Sequence, residues 1–516
     1  MGGAVLSKKE IVLISLSHSL LEIGLRGMSA FLKKEGFNTK IIFLKYRFEA
    51  SIDESVISQI VNLSKDSLFI GISLMTNYFP LAKDLTQSLK KVSDKSIVWG
   101  GIHPTLAPEE CIPYADIVNI GEGEYPLLEL ANNLVNESDI TNIPNFWVKK
   151  NSTIIRNKPG RLITNLDLLP YPDYDLENHY IRVGNSLRSL REKGLFKKNY
   201  GRTYSLVAHR GCPFKCTFCA NQALSEVFPD QKSFRKRSVE NVLNEMVQAK
   251  ERMGFLNYMG IISDDFFAFN SKEIKEFSEN YKKSIRLPLG VLASPVNITH
   301  EKTQMLVEAG MNYVEIGVQS GSTKTMKLYK RHSNSKLILR AANILNSFKG
   351  KLSVLYDFIL DNPWETDEDY IETINLVSEL PRPFKLVLYT LILQPGTELY
   401  KKAEKEGILS KDENYQKYVY DAQSTYFSSI LLLLNFVPLP KRVVSFLIDR
   451  KVRSHNLFFI LKYFLLSINL CLKPVYFFYY FFKAISKADI GLLKNYIEVA
   501  KYYIRAKLDS LLHRKN

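Results

Sequence analysis

The sequence is poor in cysteine, and this scarcity excludes one class of protein. Five of the 516 residues are cysteines, an odd number, and Cys111 and Cys471 stand alone. A secreted domain held together by disulfides needs paired cysteines at a higher density. The N-terminal stretch MGGAVLSKKEIVLISL also lacks the apolar core and cleavage site of a signal peptide. We therefore expect a cytoplasmic protein without an export signal.

The sequence also lacks an apolar run long enough to cross a bilayer. The longest run, 457–472, has 16 residues and contains Lys462 and Asn469, whereas a spanning helix needs about 20 apolar residues. From Lys441 onward, 15 Lys and Arg stand against 4 Asp and Glu, which supplies most of the net charge of +16. Basic residues beside aromatic runs are typical of helices on a membrane surface.

We therefore predict that the C-terminal tail is peripheral on a membrane, which would favour a lipid-like substrate. The alternative is that its helices close a domain or form a subunit interface. The basic residues alternate with aliphatic runs instead of lining a polar groove, so we expect no nucleic-acid partner.

The first part of the chain alternates short apolar runs with amphipathic stretches. This pattern predicts an α/β fold with a doubly wound, flavodoxin- or Rossmann-like parallel sheet over residues 1–140. A polar linker over 141–198 is expected next, because Pro170 and Pro172 favour extended backbone. The predicted strands are 11–16, 39–44, 67–72, 96–101 and 116–121.

Small and polar residues follow these strands, where the ligand crevice of a doubly wound sheet lies. The glycines there would let the backbone approach a ligand closely, and the polar side chains could form hydrogen bonds with it. Alternatively, the glycines only form tight turns. The predicted cofactor-binding residues are Ser73, Thr76, Gly100, Gly101, His103, Gly121, Glu122 and Gly123.

A second alternating series predicts a (β/α)6 partial barrel over residues 199–415. In such barrels the chemistry occurs at the carboxyl ends of the strands. A helical, hydrophobic C-terminal extension is expected over 416–516. The predicted barrel strands are 203–208, 258–263, 288–293, 312–318, 352–360 and 385–393.

Three cysteines follow the first barrel strand in the stretch HRGCPFKCTFC. A structural zinc site normally has four protein ligands, so Cys212, Cys216 and Cys219 would need His209 as a fourth, in a zinc-stapled binding protein. Alternatively, three thiolates could hold a four-iron, four-sulfur cluster and leave one iron open to a substrate or cofactor.

The stretch CPFKCTFC resembles the signature of the radical S-adenosylmethionine (SAM) family, with Phe218 as the aromatic residue before the last cysteine. The resemblance implies that Cys212, Cys216 and Cys219 bind a [4Fe-4S] cluster whose open iron binds SAM. It also implies that an electron from an external flavodoxin- or ferredoxin-type donor cleaves SAM to a 5′-deoxyadenosyl radical.

Other segments at the barrel strand ends, SDDFFAF, EIGVQSGS and YKRHSN, extend this resemblance. It implies that their residues contact SAM or lie near it, with Arg331 at the SAM carboxylate. Alternatively, Asp264 and Ser320 cap helices and Arg331 is a solvated charge. The residues concerned are Ser263, Asp264, Asp265, Gln319, Ser320 and Arg331.

In the N-terminal part, GGIHPTLAPEE, NIGEGEYPLLEL and NLDLLPYPDYDL resemble segments of the cobalamin-binding subclass of radical SAM enzymes. The D-x-H-x-x-G motif that supplies a cobalt ligand in many cobalamin proteins is absent, as it commonly is in this subclass. The alternative is a domain of the same fold that binds no corrin.

The cobalamin subclass implies methyl transfer to a carbon or phosphorus centre that is a poor nucleophile. Together with the hydrophobic tail, this predicts a cobalamin-dependent methyltransferase that acts on an unactivated carbon of a hydrophobic or lipid-like substrate. A radical oxidative cyclase or lipid-modifying enzyme of the same architecture is the alternative. No side chain in the sequence is identified as a general acid or base.

Overall fold

The computed structural model describes residues 9–46, 52–409, 425–454 and 461–467. Within them the chain forms two α/β units, each built on its own sheet, followed by helices. The predicted fold class, a parallel α/β sheet followed by a partial β/α barrel and a helical C-terminal region, is confirmed.

The N-terminal sheet has a central group of parallel strands that are buried on both faces. In β1, five of the six residues of EIVLIS are buried, as expected for a strand covered by helices on both sides. The group comprises β1 (Glu10–Ser15), β2 (Asn38–Phe43), β3 (Ser67–Ser73), β4 (Ile97–Gly100) and β5 (Ile117–Asn119). The helices between and after them are α1 (Ile23–Lys34), α2 (Glu54–Ser64), α3 (Phe79–Lys90), α4 (Ile102–Leu106), α5 (Pro108–Cys111) and α6 (Glu124–Val135).

The order of these parallel strands creates a crevice. β1 lies between β2 and β3 and is parallel to both, and the order continues outward through β4 to β5. The chain therefore changes direction across the sheet between β1 and β3. In such sheets the ligand crevice lies at the carboxyl ends of the strands beside this point.

The stretch predicted to be a linker, 141–198, is more than a connection, and that boundary requires correction. It adds strands to both edges of the N-terminal sheet, giving the order β7-β6-β5-β4-β3-β1-β2-β8-β9. β6 pairs antiparallel with β5, whereas β8 pairs parallel with β2. The added strands are β6 (Phe146–Lys150), β7 (Thr153–Arg156), β8 (His179–Val183) and β9 (Ser186–Ser189).

The second unit is a six-stranded parallel sheet with the order β10-β13-β14-β15-β16-β17. Along β15, Val314, Ile316 and Val318 are buried and alternate with half-buried residues, since neighbouring side chains point to opposite faces. A short hairpin, β11 (His209–Arg210) with β12 (Arg235–Lys236), follows the first strand. The strands are β10 (Thr203–Leu206), β13 (Tyr258–Ile261), β14 (Leu289–Ala293), β15 (Met311–Gln319), β16 (Ser353–Leu360) and β17 (Lys385–Thr390).

Helices connect these strands, and several begin at a side chain that caps the first turn. Asn270 and Glu273, for example, form a reciprocal capping box at the start of α10. The helices are α7 (Leu195–Tyr200), α8 (Ala220–Val227), α9 (Val239–Arg252), α10 (Ser271–Ser284), α11 (His300–Ala309), α12 (Thr323–Leu328), α13 (Ser335–Asn346), α14 (Asp367–Glu379) and α15 (Glu398–Lys405).

The C-terminal helices are α16 (Tyr426–Phe436), α17 (Lys441–Ile448) and α18 (Arg450–Ser454). In α16, the Phe427 ring stacks on Tyr370 with centroids 5.3 Å apart, and Asn435 Oδ1 accepts a hydrogen bond from the Leu386 amide at 2.9 Å. This helix therefore packs against the barrel. The run VYFFYYFF and most of 457–472 lie outside the described residues. Across the described chain, no helix has the length and apolar character to cross a membrane.

Candidate active site

The three cysteines lie in a loop that follows β10 at the carboxyl end of the barrel sheet. Gly211 opens this loop with a φ of +72°, in the region that favours glycine. A Cβ at Gly211 would lie 2.4 Å from the carbonyl oxygen of Ser233. The loop therefore passes directly against the backbone that leads into β12, which only glycine allows.

Thr217, between the second and third cysteines, anchors the loop to the barrel. Its amide donates to the Tyr329 carbonyl at 3.2 Å, and its carbonyl accepts from the Leu399 amide at 3.1 Å. Its hydroxyl donates to the Leu328 carbonyl at 2.7 Å. The neighbouring Phe218 ring meets the Tyr329 ring edge-on at 4.9 Å. The cysteine loop is thus held by backbone contacts that do not depend on a metal.

All three cysteines are free, and Cys216 is buried. Burial raises the pKa of Cys212 to about 12 and that of Cys219 to about 11. These two thiols are therefore protonated at neutral pH unless a bound cation stabilises the thiolates. Cysteine sulfurs are soft ligands, and these three lie at one rim of the barrel. They therefore fit an iron–sulfur cluster with three protein ligands.

His209 packs beside the start of the cysteine loop. Its Nδ1 lies 3.0 Å from the Gly211 carbonyl, and its ring packs edge-on against Phe234 with centroids 4.9 Å apart. Burial lowers its pKa. In the described part of the chain, no three His, Cys, Asp or Glu side chains are grouped to hold a single metal ion. A [4Fe-4S] cluster instead places each thiolate on a different iron.

Ser263 and Asp264 lie together at the end of β13. The Ser263 hydroxyl accepts a hydrogen bond from the Ala208 amide at 2.6 Å. Asp264 Oδ2 accepts one from Asn221 Nδ2 at 2.9 Å, and Asn221 belongs to the helix that starts after Cys219. Asp264 is an exposed residue, and partial desolvation by the surrounding protein raises its pKa. A carboxylate in this position would gain from a bound hydroxyl or ammonium group.

Asp265 and Ser320 are buried and are held by neighbouring residues. Asp265 Oδ2 accepts from Asn297 Nδ2 at 2.7 Å, and burial raises the pKa of this carboxyl to about 6. Ser320 Oγ accepts from the Ser322 amide at 3.1 Å. Both side chains therefore form hydrogen bonds within the loops that follow the barrel strands.

Arg331 and Gln319 lie between the cysteine loop and the end of β15. Arg331 Nη1 donates to Cys216 Sγ at 3.4 Å, and its Nη2 donates to the Gly317 carbonyl. Gln319 has a φ of +77°, which is unusual for a residue with a side chain. The guanidinium is therefore beside a cysteine sulfur and is not a solvated charge.

The crevice of the N-terminal sheet contains most of the residues predicted there. Thr105, which sequence reasoning missed, connects its two loops: its Oγ1 donates to the Gly101 carbonyl at 2.7 Å and accepts from the Gly121 amide at 2.9 Å. A Cβ on Gly101 would lie 2.7 Å from the Leu74 carbonyl oxygen. The predicted residues that line the crevice are Ser73, Gly100, Gly101, Gly121, Glu122 and Gly123.

Two predicted residues, Thr76 and His103, are not among the residues lining the crevice. Thr76 is buried in a short 3₁₀ turn before α3. The His103 ring is fully buried and packs on Phe79 with centroids 4.8 Å apart. Burial lowers the pKa of His103 to about 4. In the structure both side chains are packed inside the N-terminal unit, and a direct contact of either with a cofactor stays a prediction.

The barrel forms the opposite wall of the same crevice. The cavity is about 520 Å³, within the usual range for a small-molecule site. Residues on both sides of the cysteine loop border it, together with the end of β13. The barrel residues that line it include Arg210, Gly211, Asn221, Leu224, Phe228, Ser263 and Asp264. One cavity is therefore bordered by both units.

Residues 206–377 match the family model of the Radical SAM superfamily, and residues 9–131 match that of the B12 binding domain. The chain is a radical SAM enzyme with a B12-binding domain. The family implies a [4Fe-4S] cluster, SAM and cobalamin as cofactors, a reductant and a substrate. The three free cysteines and the glycine-lined crevice fit such groups.

This radical SAM enzyme resembles proteins described as methyltransferases. It is 26% identical over 451 residues to an uncharacterized methyltransferase of Pyrococcus horikoshii, covering 84% of this chain and 90% of that protein. It is 22% identical over 373 residues to the bacteriochlorophyllide d C-8(2)-methyltransferase of Chlorobaculum tepidum, covering 69% of this chain and 73% of the relative.

Its fold is similar to that of the radical SAM methyltransferase TsrM from Kitasatospora setae, solved with cobalamin and a [4Fe-4S] cluster bound. The TM-score is 0.61 with 16% identity, and the alignment covers 77% of this chain and 75% of TsrM. At this identity the similarity concerns the fold.

Proposed function

We propose that this enzyme catalyses cobalamin-dependent methyl transfer from SAM to an unactivated carbon of a hydrophobic small molecule. The observation that carries the proposal is the single cavity bordered by the N-terminal sheet and by the residues flanking the cysteine loop. Methyl transfer of this kind needs the corrin and the SAM-binding cluster close to one substrate, and the shared cavity meets that requirement.

Each cofactor has a set of candidate residues. Cys212, Cys216 and Cys219 would hold the cluster, while Asp264 and Arg331 would orient SAM beside it. Phe218, Ser263, Asp265, Gln319 and Ser320 would support that arrangement, and the crevice glycines with Ser73 would hold the corrin. When bound, the cluster and SAM would supply the radical that activates the substrate, and the corrin would supply the methyl group.

The protein side chains bind, orient and exclude water. The carboxylate of Asp264 is oriented by Asn221 at 2.9 Å and would accept a hydrogen bond from SAM. Arg331 is beside Cys216 Sγ, where its fixed positive charge would stabilise the thiolate. The packed Phe218–Tyr329 pair closes the side of the cysteine loop against the barrel, which protects reactive species from solvent.

We also propose, as a finer feature, that the C-terminal helices contact an anionic membrane surface from which a lipid-like substrate is taken. Phe446 in α17 is 57% exposed, and Phe464 is 59% exposed. Lys441 and Arg442 begin α17, the helix that contains Phe446, and basic residues near exposed aromatic groups suit an anionic surface. Co-sedimentation with phosphatidylglycerol vesicles tests this point. We expect binding that Phe446→Ser weakens, and equal retention of both proteins in the supernatant would contradict it.

The function is tested with SAM labelled in its methyl group. The anaerobically reconstituted enzyme, hydroxocobalamin and a reductant are incubated with a small-molecule extract of a strain that lacks the gene. We expect label in one product that is also missing from the metabolites of that strain, and no label with Cys216→Ser. Formation of 5′-deoxyadenosine with an altered but unlabelled product would instead support the cyclase alternative.

A further inference from the structure

The segment that carries the cysteines also contacts the loop after β5, which borders the crevice of the N-terminal unit. Arg210 stands two residues before Cys212. Its Nη1 donates to Glu122 Oε1 at 2.8 Å, and its Nη2 donates to Glu124 Oε1 at 2.5 Å. Glu124 is the first residue of α6 and is 7% exposed. One arginine thus connects the start of the cysteine loop to two carboxylates of the B12-binding domain.

A second contact comes from the other end of the same segment. Phe228 directly follows α8, the helix that begins after Cys219, and it is buried. A Cβ on Gly121 would lie 2.3 Å from the Phe228 ring. Gly121 also has a φ of +86°. The glycine therefore lets the loop lie against this ring, and a side chain at 121 would displace the ring.

A third contact passes through Glu122. Arg235, across the β11–β12 hairpin from Arg210, lies 3.0 Å from Glu122 Oε1 and donates to the Ile163 carbonyl at 2.6 Å. Glu122 Oε2 in turn accepts from the Ile163 amide at 2.8 Å. Glu122 therefore joins three parts of the chain: the crevice loop, the hairpin and the segment between β7 and β8.

The charges in this group balance, with two carboxylates and two guanidinium groups. Arg210 and Arg235 keep the pKa of Glu122 below its usual value despite its burial, so Glu122 is ionised at neutral pH. Both of its oxygens already accept hydrogen bonds from protein donors. The Glu122 side chain is 16% exposed, so removal of one partner would leave a largely desolvated charge without full compensation.

We propose that Arg210, Glu122, Glu124, Arg235 and Phe228 form a clasp that positions the cobalamin crevice relative to the cluster loop. The proposal rests on the proposed function. It assigns Glu122 to positioning between the domains, whereas the sequence suggested direct cofactor contact. The clasp contacts the cysteine-bearing segment on both sides: at Arg210, before the first cysteine, and at Phe228, after the last one. Movement of the crevice loop is thereby coupled to movement of all three cluster ligands.

Glu122→Gln is the informative substitution. The carboxylate accepts from Ile163 and Arg235 on Oε2 and from Arg210 on Oε1. The amide has one oxygen and no negative charge, so it cannot accept from all three, and its NH2 group would face a guanidinium. Phe228→Leu is the second variant, because it loosens the other contact without a change in charge. Glu192→Gln is the matched control: it breaks the exposed pair with Arg188 on the surface.

Hydrogen exchange is measured on the cofactor-free proteins over residues 119–125 and 160–166. We expect at least about tenfold faster exchange in Glu122→Gln and in Phe228→Leu over 119–125, since local opening becomes easier, and no change in Glu192→Gln. Iron per chain after reconstitution should be unchanged. Pulsed electron paramagnetic resonance should show a broader distribution of distances between cob(II)alamin and the reduced cluster in both clasp variants.

Exchange equal to that of the unsubstituted protein in both clasp variants would overturn the proposal. So would weaker hydroxocobalamin binding by Glu122→Gln with unchanged exchange, because that result would make Glu122 a direct ligand. If the unsubstituted protein binds no hydroxocobalamin, the proposed function fails, while the exchange experiment still decides whether the clasp joins the two units.

Discussion

Gly211→Ala should show whether the cysteine loop depends on its close approach to the backbone at Ser233. Gly211 has a φ of +72°, and its Cβ would lie 2.4 Å from the Ser233 carbonyl oxygen. Gly194 is the matched control, since its φ is +77° but a Cβ there would meet no atom within 4 Å. Both substitutions impose left-handed strain of about 1–2 kcal/mol, but only the first adds a backbone clash.

The clash is about 1 Å short of ordinary van der Waals contact, and forced overpacking costs about 1–3 kcal/mol. We therefore expect Gly211→Ala to destabilise the cofactor-free protein by about 2–5 kcal/mol and Gly194→Ala by about 1–2 kcal/mol. Denaturant unfolding followed by circular dichroism measures this difference.

Relief of the clash moves the loop away from the hairpin, so Gly211→Ala should also bind less iron per chain after anaerobic reconstitution. Gly194→Ala should bind as much iron as the unsubstituted protein. Equal losses of stability and equal iron content in the two variants would refute the view that the loop depends on this close approach.

Three further outcomes are expected. Cys216→Ser should lose the bound iron and its visible absorption, whereas Cys111→Ser, in the apolar core of the N-terminal unit, should keep both; iron retention by the first variant would contradict the assignment. Asp264→Asn should weaken SAM binding about tenfold in equilibrium dialysis, because one charged hydrogen bond is removed, with iron content unchanged. Buried His103 has its pKa lowered to about 4, so the native state binds fewer protons than the unfolded state, and stability is lost as the pH falls from about 6.5 towards 4. The loss amounts to about 3 kcal/mol, and His103→Phe should reduce it in urea unfolding at the two pH values; an identical pH dependence would contradict this account.

The parallel strands of both units could be predicted because apolar periodicity is a local signal. β1 and β3 are mostly buried, and their polar residues stand only at the two ends of each strand. The strands of 141–198 could not be found in this way. β7 and β9 are short edge strands with exposed polar positions, and their pairing depends on contacts with distant parts of the chain.

The candidate site was predictable where a motif carries the chemistry and less so where tertiary packing decides. The spacing of Cys212, Cys216 and Cys219 is readable in the sequence. Whether a polar residue faces the crevice is not, because His103 is turned inward by its packing on Phe79. The role of Phe228 could not be predicted from the sequence, because its ring packs against Gly121, more than one hundred residues earlier in the chain.

The proposed function depends on three cysteines that hold a cluster with one iron open to SAM. Electron paramagnetic resonance of the reduced, oxygen-free enzyme tests this arrangement, with iron quantified in the same sample. We predict about four irons per chain and a cluster signal that changes when SAM is added. A cluster signal that SAM leaves unchanged would contradict the account, as would zinc in place of iron.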